Sequence, residues 1–215
     1  MIIVKNLSFK FSNEKEYLFK NFSATFKRNT IHYIIGENGS GKSTFLNLLN
    51  KPKMITHSGK QTKINTSIVS QDYKSMLVLP FTAQENLTFS RMKTHPGMNK
   101  MVGENEKDIL EETSIFPMNI PVENLSGGQK QILAISMKLQ KNTDVLLLDE
   151  PTAALDEKNA KFVFSFLKNL VKEKNVTIFV ICHKKKYIQN FRYSTCIEIK
   201  KENNKAERTF IQKNC

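Results

Sequence analysis

The chain has 215 residues, 40% of them hydrophobic and 25% charged, proportions of an ordinary soluble protein rather than a disordered or membrane-spanning one. No apolar run approaches the ~20 residues that a bilayer-crossing helix needs. Lys and Arg outnumber Asp and Glu by 33 to 20, for a formal charge of +13, but the lysines fall in short scattered runs such as Lys184-Lys185-Lys186 and Lys200-Lys201, which read as solvated faces.

Apolar stretches at Ile2 to Val4, Phe22 to Phe26 and Ile31 to Ile35, separated by polar turns such as Ser12-Asn13-Glu14-Lys15, predict strands. The start at Met1 lacks a long apolar segment and a small-residue cleavage site, so no signal peptide is expected there. The third strand runs into a glycine-rich turn, and Lys42 to Asn50, apolar at Phe45, Leu46, Leu48 and Leu49, predicts a helix with one buried face. Ile64 to Ser70 reads as a further strand. Thr82-Ala83-Gln84-Glu85 has the T-x-x-E form of a capping box and should open a helix. Asp72 to Thr143 reads as a mostly helical insertion, interrupted at His95-Pro96-Gly97. The unbroken run Val145-Leu146-Leu147-Leu148 suits a strand buried on both faces. Asp156 is placed to cap a helix in which Ala160, Val163, Phe164, Leu167, Leu170 and Val171 repeat at helical spacing, and Val176 to Cys182 follows as a strand. Alternating strands and helices make an α/β fold with a parallel sheet the economical arrangement. With no internal repeat and no linker, residues 1–215 are expected to be one domain carrying the insertion at about 72–143. Three cysteines, Cys182, Cys196 and Cys215, widely spaced and without a C-x-x-C pair, suggest neither a disulfide framework nor a zinc site and fit a reducing cytosol.

The chemistry concentrates in three segments. Gly36-Glu37-Asn38-Gly39-Ser40-Gly41-Lys42-Ser43 satisfies G-x-x-x-x-G-K-[ST] between a predicted strand and a predicted helix, with Thr44 continuing into that helix. Such glycines let successive N–H groups converge on phosphate oxygens, and the helix adds its positive end. Lys42 would reach the β and γ phosphates, and Ser43 would offer its hydroxyl to Mg²⁺. Asp149 and Glu150 end the buried strand, at the edge of an open parallel sheet where ligands bind. Asp149 fits a metal-holding carboxylate and Glu150 a general base that polarises water. Leu125-Ser126-Gly127-Gly128-Gln129 contains an S-x-x-Q capping box, which does not by itself require two glycines in the first turn. Bare glycines there leave a second helix N-terminus open to an anion. One nucleotide does not readily explain two phosphate-binding helix starts in one chain.

The LSGGQ segment resembles the signature of ATP-binding cassette (ABC) ATPases, and the motifs that accompany it in that family follow in order over about Ile2 to Lys200. By that resemblance Gln71 is the Q-loop glutamine, which serves catalysis and reaches the metal, and Ala153-Ala154-Leu155-Asp156 is the D-loop. His183 is similar to the switch histidine that touches the γ-phosphate, and Phe11 falls where the family stacks an aromatic ring on adenine. The resemblance implies a P-loop fold with a mixed central sheet, an N-terminal antiparallel β subdomain and an inserted helical subdomain. It also implies two subunits facing head to tail around two ATP molecules, each held by Gly36 to Thr44 of one chain and by Ser126, Gly127, Gly128 and Gln129 of the other. The chain departs from the family pattern at Ile132, where an arginine is common, and at Phe11, where tyrosine is usual.

The function implied is a cytoplasmic ATPase, with ATP and Mg²⁺, that powers a membrane permease carried on a separate chain. It would pair as a homodimer or as a heterodimer with a related ATPase, peripheral to the cytoplasmic face of the membrane. No nucleic acid is expected. The alternatives are an ABC ATPase acting on nucleic acid and a docking module that does not pump. Met76, Leu77, Leu79 and Phe81 lie where the family docks its membrane partner, and they read equally as a small core. The stretch from Ile132 to Asp156 slightly resembles amino-acid-type importers.

Overall fold

The computed structural model describes residues 1–51, 54–57, 64–91, 117–139, 143–183, 195–201 and 208–214. Most of the middle of the expected insertion and the Lys184-Lys185-Lys186 run lie outside these. Strand β1 (Ile2–Phe9) pairs antiparallel with β2 (Phe19–Phe26) on one side and with β4 (Ile55–His57) on the other, giving a three-stranded sheet. The second sheet has six strands in the order β5 (Thr66–Val69), β6 (Val145–Leu148), β7 (Thr177–Ile181), β3 (Ile31–Ile35), β8 (Thr195–Lys201) and β9 (Arg208–Asn214). All its neighbours are parallel except β8 and β9. Around them lie helices α1 (Lys42–Leu49), α2 (Ala83–Arg91), α3 (Gly127–Lys138) and α4 (Glu157–Lys174).

Strands β6 and β7 are buried at every position, as central strands covered on both faces must be. Their period of two divides the core. Leu146, Leu148, Ile178 and Val180 point to one layer, with Ile132, Leu133 and Ile135 of α3 and Val163 and Leu167 of α4. Val145, Leu147, Phe179 and Ile181 point to the other, with Phe45, Leu46 and Leu49 of α1 and Ile2, Val4 and Phe19 of the antiparallel sheet. The expected architecture, a mixed central sheet with an antiparallel N-terminal sheet and helices, is the one found.

Both capping boxes form. Glu85 N–H donates to Thr82 Oγ1 at 3.1 Å while Thr82 N–H donates to the Glu85 carboxylate at 2.7 Å. Asp156 accepts from Asn159 N–H at 2.8 Å and starts α4, which ends on Asn175 in the left-handed conformation at φ 56°.

Three differences from the sequence reading have physical reasons. Strands β4, β8 and β9 were not expected, since β4 has three residues and β9 is an edge strand without a run of apolar residues. That last strand carries Phe210 into a ring cluster, with centroids 5.1, 3.9 and 5.2 Å from those of Phe19, Phe22 and Phe45. Arg208 N–H donates to Leu18 C=O at 2.9 Å, so β9 joins the two sheets. The apolar group after Gln71 also divides: Leu77 is core, whereas Leu79 and Phe81 are 44% and 43% exposed. Finally, Cys196 is disulfide-bonded, against the expectation of none. The antiparallel register lays the last described residues beside it, with Cys196 opposite Lys213, a proximity that sequence spacing does not report.

Candidate functional site

The loop after β3 takes its shape from three glycines. Gly36 lies so close to β8 that a Cβ there would stand 2.4 Å from the Ile199 carbonyl oxygen, and Gly41 holds φ 95° at the N-cap of α1. A side chain at either position meets steric conflict or backbone strain. No side chain caps α1 and its first turn carries no acidic residue, so its leading N–H groups remain available to an anion. Ser40 is buried with its hydroxyl unpartnered among the described residues. Lys42 is also buried, and its ammonium donates to the carbonyls of Gly36 at 3.1 Å and Glu37 at 2.8 Å. Burial lowers its pKa from the ordinary lysine value, opposed by the attraction of Glu150 and Asp149.

Strand β6 delivers the two carboxylates to this loop. Asp149 N–H donates to Val69 C=O at 3.0 Å, extending the β5–β6 pairing by one residue, and Ser43 Oγ donates to Asp149 Oδ1 at 3.2 Å. Desolvation raises the Asp149 pKa, with the Ser43 hydrogen bond pulling it down. Glu150 has φ 50°. Among the described residues it is the one non-glycine with positive φ that is not asparagine, a conformation that costs a longer side chain about 1–2 kcal/mol. In that conformation its carboxylate accepts from His183 Nε2 at 2.5 Å, across from the end of β7. Glu150 borders two clefts. One, of about 370 Å³, is lined by Gln71, Tyr73, Ala153, Ala154 and Leu155, and the other, of about 230 Å³, by Thr152, Ile181, Cys182 and His183.

Thus Lys42, Ser43, Asp149, Glu150 and His183 come together at the C-terminal edge of the parallel strands, with Gln71 across a cleft from Glu150. The segment Ser126 to Gln129 is tied elsewhere. Gln129 N–H donates to Ser126 Oγ at 3.3 Å and Ser126 N–H to Gln129 Oε1 at 2.8 Å, completing the cap of α3. Its two glycines have a packing reason that the sequence did not show: a Cβ on Gly127 would stand 2.9 Å from Leu155 Cδ2, and one on Gly128 2.7 Å from Asn159 Oδ1. Phe11 is 48% exposed near the tip of the β1–β2 hairpin, in a T-shaped pair with Phe9 whose centroids are 5.0 Å apart. Ile132 lies fully buried in the core, where a charged side chain would lose its solvation.

Residues 19–153 match the sequence model of the family described as ABC transporter. The chain belongs to that family. Two relatives of this cassette align over most of their length. The arginine transport ATP-binding protein ArtM of Bacillus subtilis is 36% identical over 197 residues, covering 85% of this chain and 81% of that one. The tyrosine transport ATP-binding protein of Clostridioides difficile is 32% identical over 212 residues, covering 87% and 84%. Among solved structures, the dimeric post-hydrolysis state of the ATP-binding cassette MJ0796 bound to ADP and Pi is 26% identical, with a TM-score of 0.66 and coverage of 100% of this chain and 98% of that one. CbiO1 of Clostridium perfringens, part of the cbiONQ transporter complex, shares the fold at a TM-score of 0.73 and 23% identity, covering 99% and 88%. The cassette is therefore an ATP-binding, ATP-hydrolysing subunit of the ABC transporter type. No helix among its described residues is long and apolar enough to cross a membrane.

Proposed function

We propose that this cassette is a single domain that closes head to tail on a second cassette around two MgATP and drives a permease carried on a separate chain. The observation that carries this reading is the convergence of Lys42, Ser43, Asp149 and the Glu150–His183 pair at one sheet edge, with Glu150 held in a strained conformation to reach it. Residues of Gly36 to Thr44 bind the phosphates. Lys42, now resting on two neutral carbonyls, exchanges them for charged phosphate oxygens, which hold an ammonium more strongly. Phe11, half-exposed, offers its ring to the adenine.

The Ser43 hydroxyl and Asp149 carboxylate are hard oxygen donors already 3.2 Å apart, and they fit Mg²⁺. Among the described residues no cluster of three or more His, Cys, Asp or Glu forms a cage, so the remaining oxygens would come from phosphate, water and Gln71. Bound Mg²⁺ would neutralise phosphate charge. Glu150 accepts the proton of the attacking water, and His183, whose Nε2 hydrogen points at Glu150, orients that carboxylate in the resting state. Ser126, Gly127, Gly128 and Gln129 complete the site of the opposing cassette.

Leu79, Phe81 and Phe89 are exposed by 44, 43 and 59%, and we assign them to contact with the permease, with the cassette at the cytoplasmic surface of the membrane. Relatives are named for arginine, tyrosine and metal transport, which supports cargo choice on the membrane partner and not on this chain.

The deciding experiment is Glu150→Gln, which keeps the shape of the site and removes the proton acceptor. Hydrolysis should fall about 10²- to 10⁴-fold, and the protein should accumulate as an ATP-bound dimer in size-exclusion chromatography with MgATP. Unimpaired phosphate release by this variant refutes the assignment of the base.

A further inference from the structure

The Ser126 hydroxyl is not idle in the isolated chain. It donates its one hydrogen to Asn159 Oδ1 at 3.0 Å, while its lone pair accepts from Gln129 N–H. The orientation of the Asn159 amide is fixed from behind. Its Nδ2 donates to Asp156 Oδ2 at 2.7 Å and its backbone N–H to Asp156 Oδ1 at 2.8 Å, and a carboxylate only accepts, so Oδ1 must be the atom that faces Ser126. Gly128 lies directly against this amide, since a Cβ there would meet Asn159 at three atoms within 3.2 Å. The start of α3 and the cap of α4 are thus held together through one side chain.

We propose that Asn159 is a positioning residue that latches Ser126, so that a phosphate presented by the opposing cassette gains the Ser126 hydrogen only by displacing Asn159 Oδ1. This rests on the reading, stated above, that Ser126 completes the opposing site. The exchange replaces a neutral acceptor by a charged one, so it proceeds toward the closed pair, but against the resting bond. Because Asp156 anchors Asn159, release of the latch leaves the amide with the D-loop segment Ala153 to Asp156 and frees that segment from the start of α3.

The experiment compares Asn159→Ala with Asn159→Asp in the full chain. Both lose the Nδ2 bond to Asp156, and aspartate in addition sets a like charge beside it, so Asn159→Ala carries the sign of the test. They differ toward Ser126: alanine removes the competing acceptor, whereas aspartate substitutes a charged and stronger one. Sedimentation velocity with Mg²⁺ and a non-hydrolysable ATP analogue gives the nucleotide concentration at half-maximal dimerisation. That concentration should fall about two- to tenfold for Asn159→Ala, the worth of one neutral hydrogen bond, and rise for Asn159→Asp. The affinity of each monomer for a fluorescent ATP analogue should stay unchanged, which also shows that both are folded. A merely structural role moves both variants in the same direction, and that result, or no movement in either, overturns the latch. Ser126→Arg in parallel separates the two levels. If it dimerises normally, the opposing-site reading is wrong; if it blocks dimerisation while the two Asn159 variants behave alike, only the latch is wrong.

Discussion

His32 gives a test of the fold that does not depend on nucleotide. It is fully buried in β3, between Phe26 and Phe179, with ring centroids 5.2 and 4.8 Å away. Its Nε2 faces the Lys27 carbonyl at 2.8 Å, and a carbonyl only accepts, so Nε2 carries the hydrogen and Nδ1 accepts from the Thr195 hydroxyl. The ring is held neutral: burial lowers its pKa from 6.5 to about 4, against a smaller raising effect of the Lys27 carbonyl. The sign of the linkage follows. Above pH ~6.5 neither state is protonated and the contribution of His32 is fully present. As the pH falls below ~6.5 the unfolded chain takes up a proton that the folded chain refuses, and stability is lost until the folded pKa near 4 is reached. The gap between the two values caps the loss at ~3 kcal/mol, of which ~2 kcal/mol falls between about pH 7.5 and 5. Urea unfolding of the unmodified chain and of His32→Phe across that range isolates the effect, since every other titrating group is common to both. The stability of the unmodified chain minus that of His32→Phe should fall by ~2 kcal/mol on acidification. Parallel curves, or a rise in that quantity, would show that His32 is not buried in its neutral form.

Two further outcomes follow from named contacts. Lys42→Ala should weaken binding of a fluorescent MgATP analogue by at least roughly 10- to 100-fold, the worth of a charge-assisted hydrogen bond to phosphate; unchanged affinity would remove Lys42 from the site. Phe210→Ala should cost ~2–3 kcal/mol in urea unfolding, below the range for a fully buried ring because Phe210 is half-buried, and a loss near zero would mean that β9 does not hold the two sheets together.

The residues that make up the site were legible because each sits in a pattern with a backbone meaning: a glycine loop between strand and helix, carboxylates ending an apolar run, and caps three residues from their partners. Strand β6 was read to the residue because it is buried on both faces and carries no polar interruption. What escaped was set by tertiary contact. The left-handed conformation of Glu150 has no signature in its type, since glutamate avoids it, and only the demand to meet His183 explains it. Strand β8 follows a lysine-rich stretch that masks its short apolar run Cys196, Ile197 and Ile199, and β9 is visible only through the partners of Phe210. Leu77 and Leu79 look alike in sequence and differ only in which side of the turn faces the core. Asn159 could have been noticed as the third residue after the Asp156 cap, but its tie to Ser126 spans 33 positions.

The closure made by β9 has a consequence for how the chain is born. Phe45 on the phosphate-loop helix and Phe19 on the antiparallel sheet both wait for a ring that leaves the ribosome long after them, and Gly36 waits for the Ile199 carbonyl. Phe210 is made roughly 165 residues after Phe45, a delay of ~10–30 s at ordinary elongation rates. Through that interval the nascent phosphate loop lacks two of the surfaces that brace it. A ribosome stalled before β8 should therefore display a chain that captures nucleotide poorly, and competence for ATP becomes a late event in synthesis that reports on the arrival of the C-terminal strands.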